Sequence, residues 1–526
     1  MFAVQKQNTQ ATTIPSPVGG INSLNSLYGM DPTDAIYLYN IIPKEFGCTV
    51  RKGTLERVIN IPDPVLTMMT YRGVVSGVEV LFAATVLGIY DVTSRTDAPG
   101  APDLPWPAQV GEAGYCSFTH WTGLGDLSYL LVADAVNGYY IYDGTTWAAG
   151  TFSGPGPAPE PADVDFIMVW KSRIWFVEKE SARAWYLDAG AITGDVTLFE
   201  FGNKFTHGDG LVGLYSWTVD GGDGVDDYLV ATSRSGDVIV YRGKDPDNAV
   251  TFGQVGAWYI GPIPAGHRGV SDYGGDLLLL STFGIISMNS LLRGAVLEDQ
   301  SQYVSAKVSP YIRQVMQDTI NDIGWEIRTD PAEGVMVVLS PKRGSKARVQ
   351  FVMYFSTKAW CMYRGLEMDC AVYAGNTLHY GTADGTIIDM AGTLDYVSFD
   401  NTEREPISWA ILSSYQDYGA PGHWKRCQFL RPLFIAEYAP DYTITARYDF
   451  DITDVGSLPI ALPKVGSLWD EALWDDGIWG GGFSVTQQPR GGSGMGRHVA
   501  VQVIGRSSFR TTFVGVDVMM DAGGML

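Results

Sequence analysis

From about residue 61 to residue 390 one pattern of apolar and polar positions recurs. A strand of nearly unbroken apolar residues is followed by a polar turn with glycine. A second strand rich in aromatic and β-branched residues comes next. The instances are Val80–Ala84 with Gly88–Val92, Tyr129–Ala133 with Gly138–Tyr142, and Tyr228–Thr232 with Gly236–Tyr241. Two more are Leu277–Ser281 with Gly284–Met288, and Thr377–Gly381 with Gly385–Asp389. A less regular unit, Phe166–Trp170, Arg173–Val177 and Ala184–Leu187, lies between the second and third. Where the glycines belong to consecutive units they recur about every 50 residues, the length of a four-stranded propeller blade. The first strand of each pair reads as buried on both faces, and the second alternates as nearer a rim. The pattern predicts an all-β chain, a β-propeller of about six blades.

The interval from Gly284 to Gly385 is about twice the usual spacing. It holds the one strong helix candidate, Val304–Ile320, which Pro310 interrupts, so the helix is expected to start there. Hairpin-like strands Val335–Leu339 and Val349–Phe355 follow. The interval has room for a helical insertion or for an extra blade; the reading favoured is a helical insertion near 291–330, with the later strands completing the last blade. After residue 401 the spacing changes. Strands at Glu405–Ile411, Phe429–Glu437, Thr443–Phe450, Ser484–Gln488, Val499–Gly505 and Thr511–Met520 predict a β-sandwich-like platform. Consecutive strands without alternating helices exclude a parallel α/β sheet. Residues 1–60, with Pro15, Pro17, Gly19, Gly20, Pro32 and Pro43, read as an extended arm lying on the platform or on a neighbouring subunit. Asp31 and Pro32 are suited to cap a short helix there. The expected organisation is therefore an arm over 1–60, a propeller over 61–400 and a platform over 401–526.

Composition narrows the partners. The 526 residues carry a formal charge of -22, whereas tight DNA binding relies on Lys and Arg to neutralise phosphates. Acidity leaves room for a surface along which nucleic acid slides without sticking, and it also serves solubility. The five cysteines are scattered and never spaced C-x-x-C, as expected of buried thiols in a reducing compartment. The first residues lack an apolar signal core. The longest apolar stretch, Leu277–Met288, is shorter than the roughly 20 residues a membrane helix needs.

Little in the sequence points to catalysis. None of the six histidines is spaced for a metal, and His423 and His498 sit in loop-like contexts. Asp220–Asp227 resembles a calcium loop but lacks its closing glutamate, and Asp449, Asp451 and Asp454 form another acidic turn. Arg490–Gly496 is rich in glycine yet precedes a strand, where a phosphate loop opens a helix. A carboxylate pair of the glycosidase kind does not need to show in sequence, so a propeller-fold glycan hydrolase stands as the enzyme alternative. A monomeric propeller that acts as an interaction module is the other. The expectation is no enzyme, no cofactor and no metal. The run Trp469, Trp474, Trp479 places tryptophan every five residues, which fits neither helix nor strand. It reads either as a partner-binding face or as a small core beneath a loop.

Three segments resemble the tail nozzle, or tail hub, proteins of short-tailed bacteriophages, also called tail tubular protein B or packaged-DNA stabilisation proteins. The first contains Gly19-Gly20-Ile21-Asn22, Met30-Asp31-Pro32-Thr33-Asp34-Ala35, Asn40-Ile41-Ile42-Pro43 and Arg51-Lys52-Gly53. The second is Ser414–Lys425, with Tyr418 where the family usually has leucine. The third is Ile504-Gly505-Arg506-Ser507-Ser508. The resemblance implies a propeller flanked by a platform made from both chain ends, with six copies ringing the tail axis below an adaptor or gatekeeper ring. It implies a virion tail assembled in the host cytoplasm and contact with tail fibres or spikes. Genomic double-stranded DNA would pass through the lumen without sequence-specific binding. Asp31, Pro32, Asn40 and Pro43, with the three tryptophans, are then the expected subunit or partner contacts.

Overall fold

A computed structural model describes residues 8–453, 484–486 and 488–525, apart from 75–76, 124–126, 155–157, 221–224, 249, 295–298 and 345–347. Strand accounts for 51% and helix for 5%, which makes the fold all-β. The three tryptophans 469, 474 and 479 lie outside the described residues, as do residues 221–224 of the Asp220–Asp227 turn and Asp454.

The apolar runs become the second strands of antiparallel blades. In the second blade, Cys116–Thr122, Ser128–Asp134, Gly138–Tyr142 and Trp147–Ala149 pair in sequence order. Successive residues of a strand point to opposite faces. Leu130 and Val132 accordingly pack with Met69 and Phe82 of the preceding blade, while Leu131 and Ala133 pack with Ile167 and Phe176 of the following one. Each strand is thus covered twice, and for that reason it reads as unbroken apolar sequence. Burial of each such leucine contributes roughly 1.5–3 kcal/mol.

Among the described residues seven sheets stand around the axis. Their innermost strands begin at Thr67, Cys116, Val164, Leu211, Val270, Glu326 and Cys370, and the last lies against the first. The seventh blade is closed by Leu55–Val58, which pairs with Ile387–Asp389 and supplies the fourth strand from near the start of the chain. Among the described residues the fifth blade has three strands. The open edge of its outer strand is covered by the insertion: Ile285 N–H donates to Ser305 Oγ, and Val304 N–H donates to the Ile285 carbonyl. The helix that follows, Ser309–Thr319, carries Pro310 in its first turn and buries Ile312 and Met316.

The doubled interval after Gly284 holds a blade as well as an insertion. Glu326–Asp330, Val335–Leu339, Val349–Tyr354 and Trp360–Arg364 form a four-stranded meander of their own, the sixth blade, and do not complete the last one. Its outer strand has no free edge. Tyr39 pairs with Met362, and the sheet continues through Asp34–Tyr39, Glu405–Ser413, Val499–Ser507 and Asp441–Tyr448. One blade therefore runs directly into the platform.

The platform is a sandwich of this ten-stranded sheet and a second sheet. His423–Ala436 and Thr511–Met525 form the centre of the second sheet, with Asn8–Pro15 and the hairpin Ile41–Lys44/Gly47–Val50 beside them. Ile14, Cys48, Leu430, Phe434 and Val518 meet Trp409, Ile411, Ile444 and Val503 in one core. Residues 8–58 do more than lie on the platform as an arm. They supply strands to both platform sheets and to the seventh blade.

Candidate functional site

Two polar clusters interrupt this apolar architecture: one joins the ring to the platform, and the other sits on the propeller axis.

The joint is built from the segments singled out at the N-terminus. Arg51 meets Asp395 fork to fork, with Nη1–Oδ1 and Nη2–Oδ2 both 2.7 Å. Its Nε donates to Asn40 Oδ1 at 3.1 Å. Asn40 adopts φ 58°, a conformation that asparagine tolerates better than most residues. From there its Nδ2 donates to the carbonyls of Arg364 and Ser408, and its Oδ1 also accepts from Arg364 N–H. One amide thereby ties the sixth blade to the platform. Lys52 pairs with Glu333, which also takes Lys44. A Cβ on Gly53 would lie 1.9 Å from the Leu394 carbonyl oxygen, so only glycine fits there.

The Gly19–Asn22 turn is held in the same way. Gly20 has φ +78°, and a Cβ there would meet the Trp360 backbone nitrogen at 2.5 Å. Asn22 Nδ2 donates to Asp34 Oδ2, and Lys307 Nζ from the insertion reaches Asp34 Oδ1, each at 2.6 Å. Gln416 Nε2 donates to the Met30 carbonyl. Lys425 Nζ donates to the carbonyls of Ala420, His423 and Arg497. Trp409 Nε1 donates to Ser507 Oγ, with Gly505 beneath its ring. Of the residues named as contacts, Asp31 and Pro32 are exposed, whereas Asn40 and Pro43 are buried within the subunit. The Pro43 carbonyl accepts from Thr357 Oγ1.

The axial cluster centres on Arg268, which enters just before the fifth blade and is buried. Its guanidinium donates to the Leu66 carbonyl, Thr67 Oγ1, the Cys116 carbonyl and Glu326 Oε2, and it lies 4.0 Å from the Tyr115 ring centroid. One side chain thus links the first, second, fifth and sixth blades. Glu326 also takes Arg328 Nε. Burial raises the Glu326 carboxyl, but Arg328 and Arg268 outweigh it and leave the pKa below its usual value. Burial, and then the adjacent Arg268, push His267 down to about 3, so its ring is neutral. Asp165 on the third blade's inner strand moves the other way, to about 6, through burial that Lys179 offsets in part while Glu112 and Asp134 add to it. A cavity of about 180 Å³ opens beside this cluster. Its walls include Phe118, Phe166, Tyr215, His267, Arg268 and Arg328.

Sequence reading missed the axial cluster. His267-Arg268 stands in a Gly/Pro-rich connection, and its one visible sign is a histidine–arginine pair shortly before a strand. Among the described residues no group of three or more His, Cys, Asp or Glu side chains is placed to hold a metal ion. Nor is any helix there long and apolar enough to cross a membrane.

No family model and no curated protein matches this chain. Among solved structures it is similar to Raptor of Chaetomium thermophilum, at 12% identity and a TM-score of 0.36 over 65% of this chain and 28% of that one. It is also similar to the extracellular domain of a protein described as a one component system of B. thetaiotaomicron. There the identity is 8% and the TM-score 0.30, over 72% of this chain and 43% of that one. The chain spans less than half the length of either.

Proposed function

We propose that the chain is a structural subunit of a bacteriophage short tail, a hexameric nozzle or hub that closes the DNA channel before infection and conducts the genome during ejection. The observation that carries this reading is the joint. Of the residues that resemble tail hub proteins, Gly19–Asn22, Asn40 and Arg51–Gly53 fix a propeller to a platform drawn from both chain ends, while Gln416, Lys425 and Ser507 hold the platform itself together. A conduit subunit needs such rigidity, because a ring under load transmits force through the joints between its domains. The charge of -22 supports the same reading, since a negative lumen repels phosphate and lets DNA pass without adhering. The expected partners are five further copies, an adaptor or gatekeeper ring, fibres or spikes, and double-stranded DNA in transit.

Electron microscopy of the full chain, alone and with an extract of virions from its source, tests the assembly. The expected particle is a six-fold ring with an axial channel. A stable ring of another symmetry, or a monomer under both conditions, overturns the reading, as does turnover of host glycans by the purified chain.

A further inference from the structure

The contact between the Gly19–Asn22 turn and the insertion has the geometry of a reaction as well as of a tether. Asp34 is fully buried, and its two carboxylate oxygens face different partners. Oδ1 takes Lys307 Nζ and Oδ2 takes Asn22 Nδ2, each at 2.6 Å. The oxygen of the Asn22 amide is held too. It accepts the Leu24 N–H at 3.1 Å and the Asn25 N–H at 3.0 Å. Ser23 N–H and Ser23 Oγ both donate to the Lys307 carbonyl at 2.8 Å, so the backbone beside Asn22 lies against the backbone at Lys307. An ion pair needs only the Lys307 contact. The rest supplies what acyl transfer needs: an amide carbon, two donors for its oxygen, an amine, and one carboxylate touching both the amine and the leaving nitrogen.

We propose that the chain cross-links itself here, through an isopeptide bond between Lys307 Nζ and Asn22 Cγ formed with release of ammonia. Asp34 Oδ1 takes a proton from the Lys307 ammonium, and the neutral amine adds to Asn22 Cγ. Negative charge gathers on Asn22 Oδ1, where the Leu24 and Asn25 N–H groups stabilise it. Asp34 passes the proton to Asn22 Nδ2, the Cγ–Nδ2 bond breaks and ammonia leaves. The second proton that Nζ sheds on becoming an amide departs with the ammonia as ammonium, so Asp34 ends as it began. Nothing is oxidised or reduced, and no co-reactant is consumed. Folding makes the attack intramolecular, which replaces the encounter of free groups with a fixed geometry. Asn22 is 6% exposed, which keeps competing water from its amide, whereas the Lys307 side chain is 38% exposed and gives the ammonia an outlet. Each chain reacts once. The bond joins the segment beside the platform strand Asp34–Tyr39 to the insertion that covers the fifth blade's edge, and so fastens platform to ring covalently. It lies within one chain and is independent of the six-fold ring.

Mass spectrometry of the purified full chain, denatured after incubation at neutral pH, tests this. The chain is expected to be lighter than its sequence by one ammonia, and a tryptic digest to contain one branched peptide that carries both Asn22 and Lys307. Lys307→Arg keeps a cation beside Asp34 but offers no nucleophilic amine. It is expected to show no such loss and no branched peptide. An unaltered chain at full mass overturns the proposal. So does an ammonia lost from another asparagine, a water lost on joining Lys307 to Asp34, or a folded Lys307→Arg chain that still loses ammonia. If that variant does not fold, the peptide map of the unaltered chain decides alone. None of these outcomes bears on the six-fold ring.

Discussion

Arg51 and Asp395 are 344 positions apart and meet through two parallel 2.7 Å hydrogen bonds, with side chains 1% and 6% exposed. The pair joins the end of the propeller to the start of the platform. Removing one partner leaves the other charge buried and unpaired, at a cost of about 3–5 kcal/mol. Arg51→Met is therefore expected to lower the unfolding free energy by that amount in a denaturant titration. Arg51→Met combined with Asp395→Leu recovers most of the loss, because no bare charge remains. Equal losses in the single and double variants would show that the pair itself is not what holds the joint.

Gly53 provides a steric test of the same place. Gly53→Ala puts a methyl group 1.9 Å from the Leu394 carbonyl, and backbone must move to admit it. The expected loss is on the order of 1–3 kcal/mol, as for other overpacked sites. Gly100→Ala, where a Cβ meets nothing within 4 Å, is expected to have almost no effect. Thermal unfolding of the two variants side by side reads the contrast.

His267 sets a pH dependence. In the folded chain its imidazole stays neutral down to about pH 3, because of burial and then Arg268. In the unfolded chain it takes up a proton near pH 6.5. Between those values the unfolded state binds more protons, so stability falls as pH drops, by about 1.4 kcal/mol per unit from this group. His267→Phe removes that component and flattens the slope of unfolding free energy from pH 6.5 towards 4. Parallel slopes for the two proteins would contradict the assignment.

All five cysteines are free and buried. Burial pushes Cys48 up to about 12 and Cys116 and Cys361 well above the ordinary thiol value. A thiol reagent at neutral pH is expected to modify none of them in the native chain and all five after denaturation. Fast native reaction at any one of them would show a mobile blade or joint.

The propeller was legible because its signal is local. A strand covered on both faces, such as Leu277–Ser281, shows as an apolar run wherever it stands. The sixth blade was hidden because the insertion covering the fifth blade's edge breaks the spacing just ahead of it, and because its outer strand continues into the platform instead of ending at a turn. The N-terminal strands were hidden for a related reason. Tyr39 pairs with Ala410, and Asn8 with Ala522, so the residues that make these strands strands are not near them in sequence. Asn40 read as a contact residue, whereas the folded chain encloses it and uses both ends of its amide internally. The axial cluster depends on five segments meeting at one point, at Leu66–Thr67, Tyr115–Cys116, His267–Arg268, Phe166 and Glu326–Arg328, and no spacing along the chain records that.

The central claim is that this propeller and platform belong to a viral tail. Immunoelectron microscopy tests it most directly, with gold-labelled antibody raised against the full chain and applied to particles from a lysate of the source. The account predicts gold at the single tail-bearing vertex of short-tailed particles. Gold confined to the cell envelope or the soluble fraction, with tailed particles unlabelled, would contradict it.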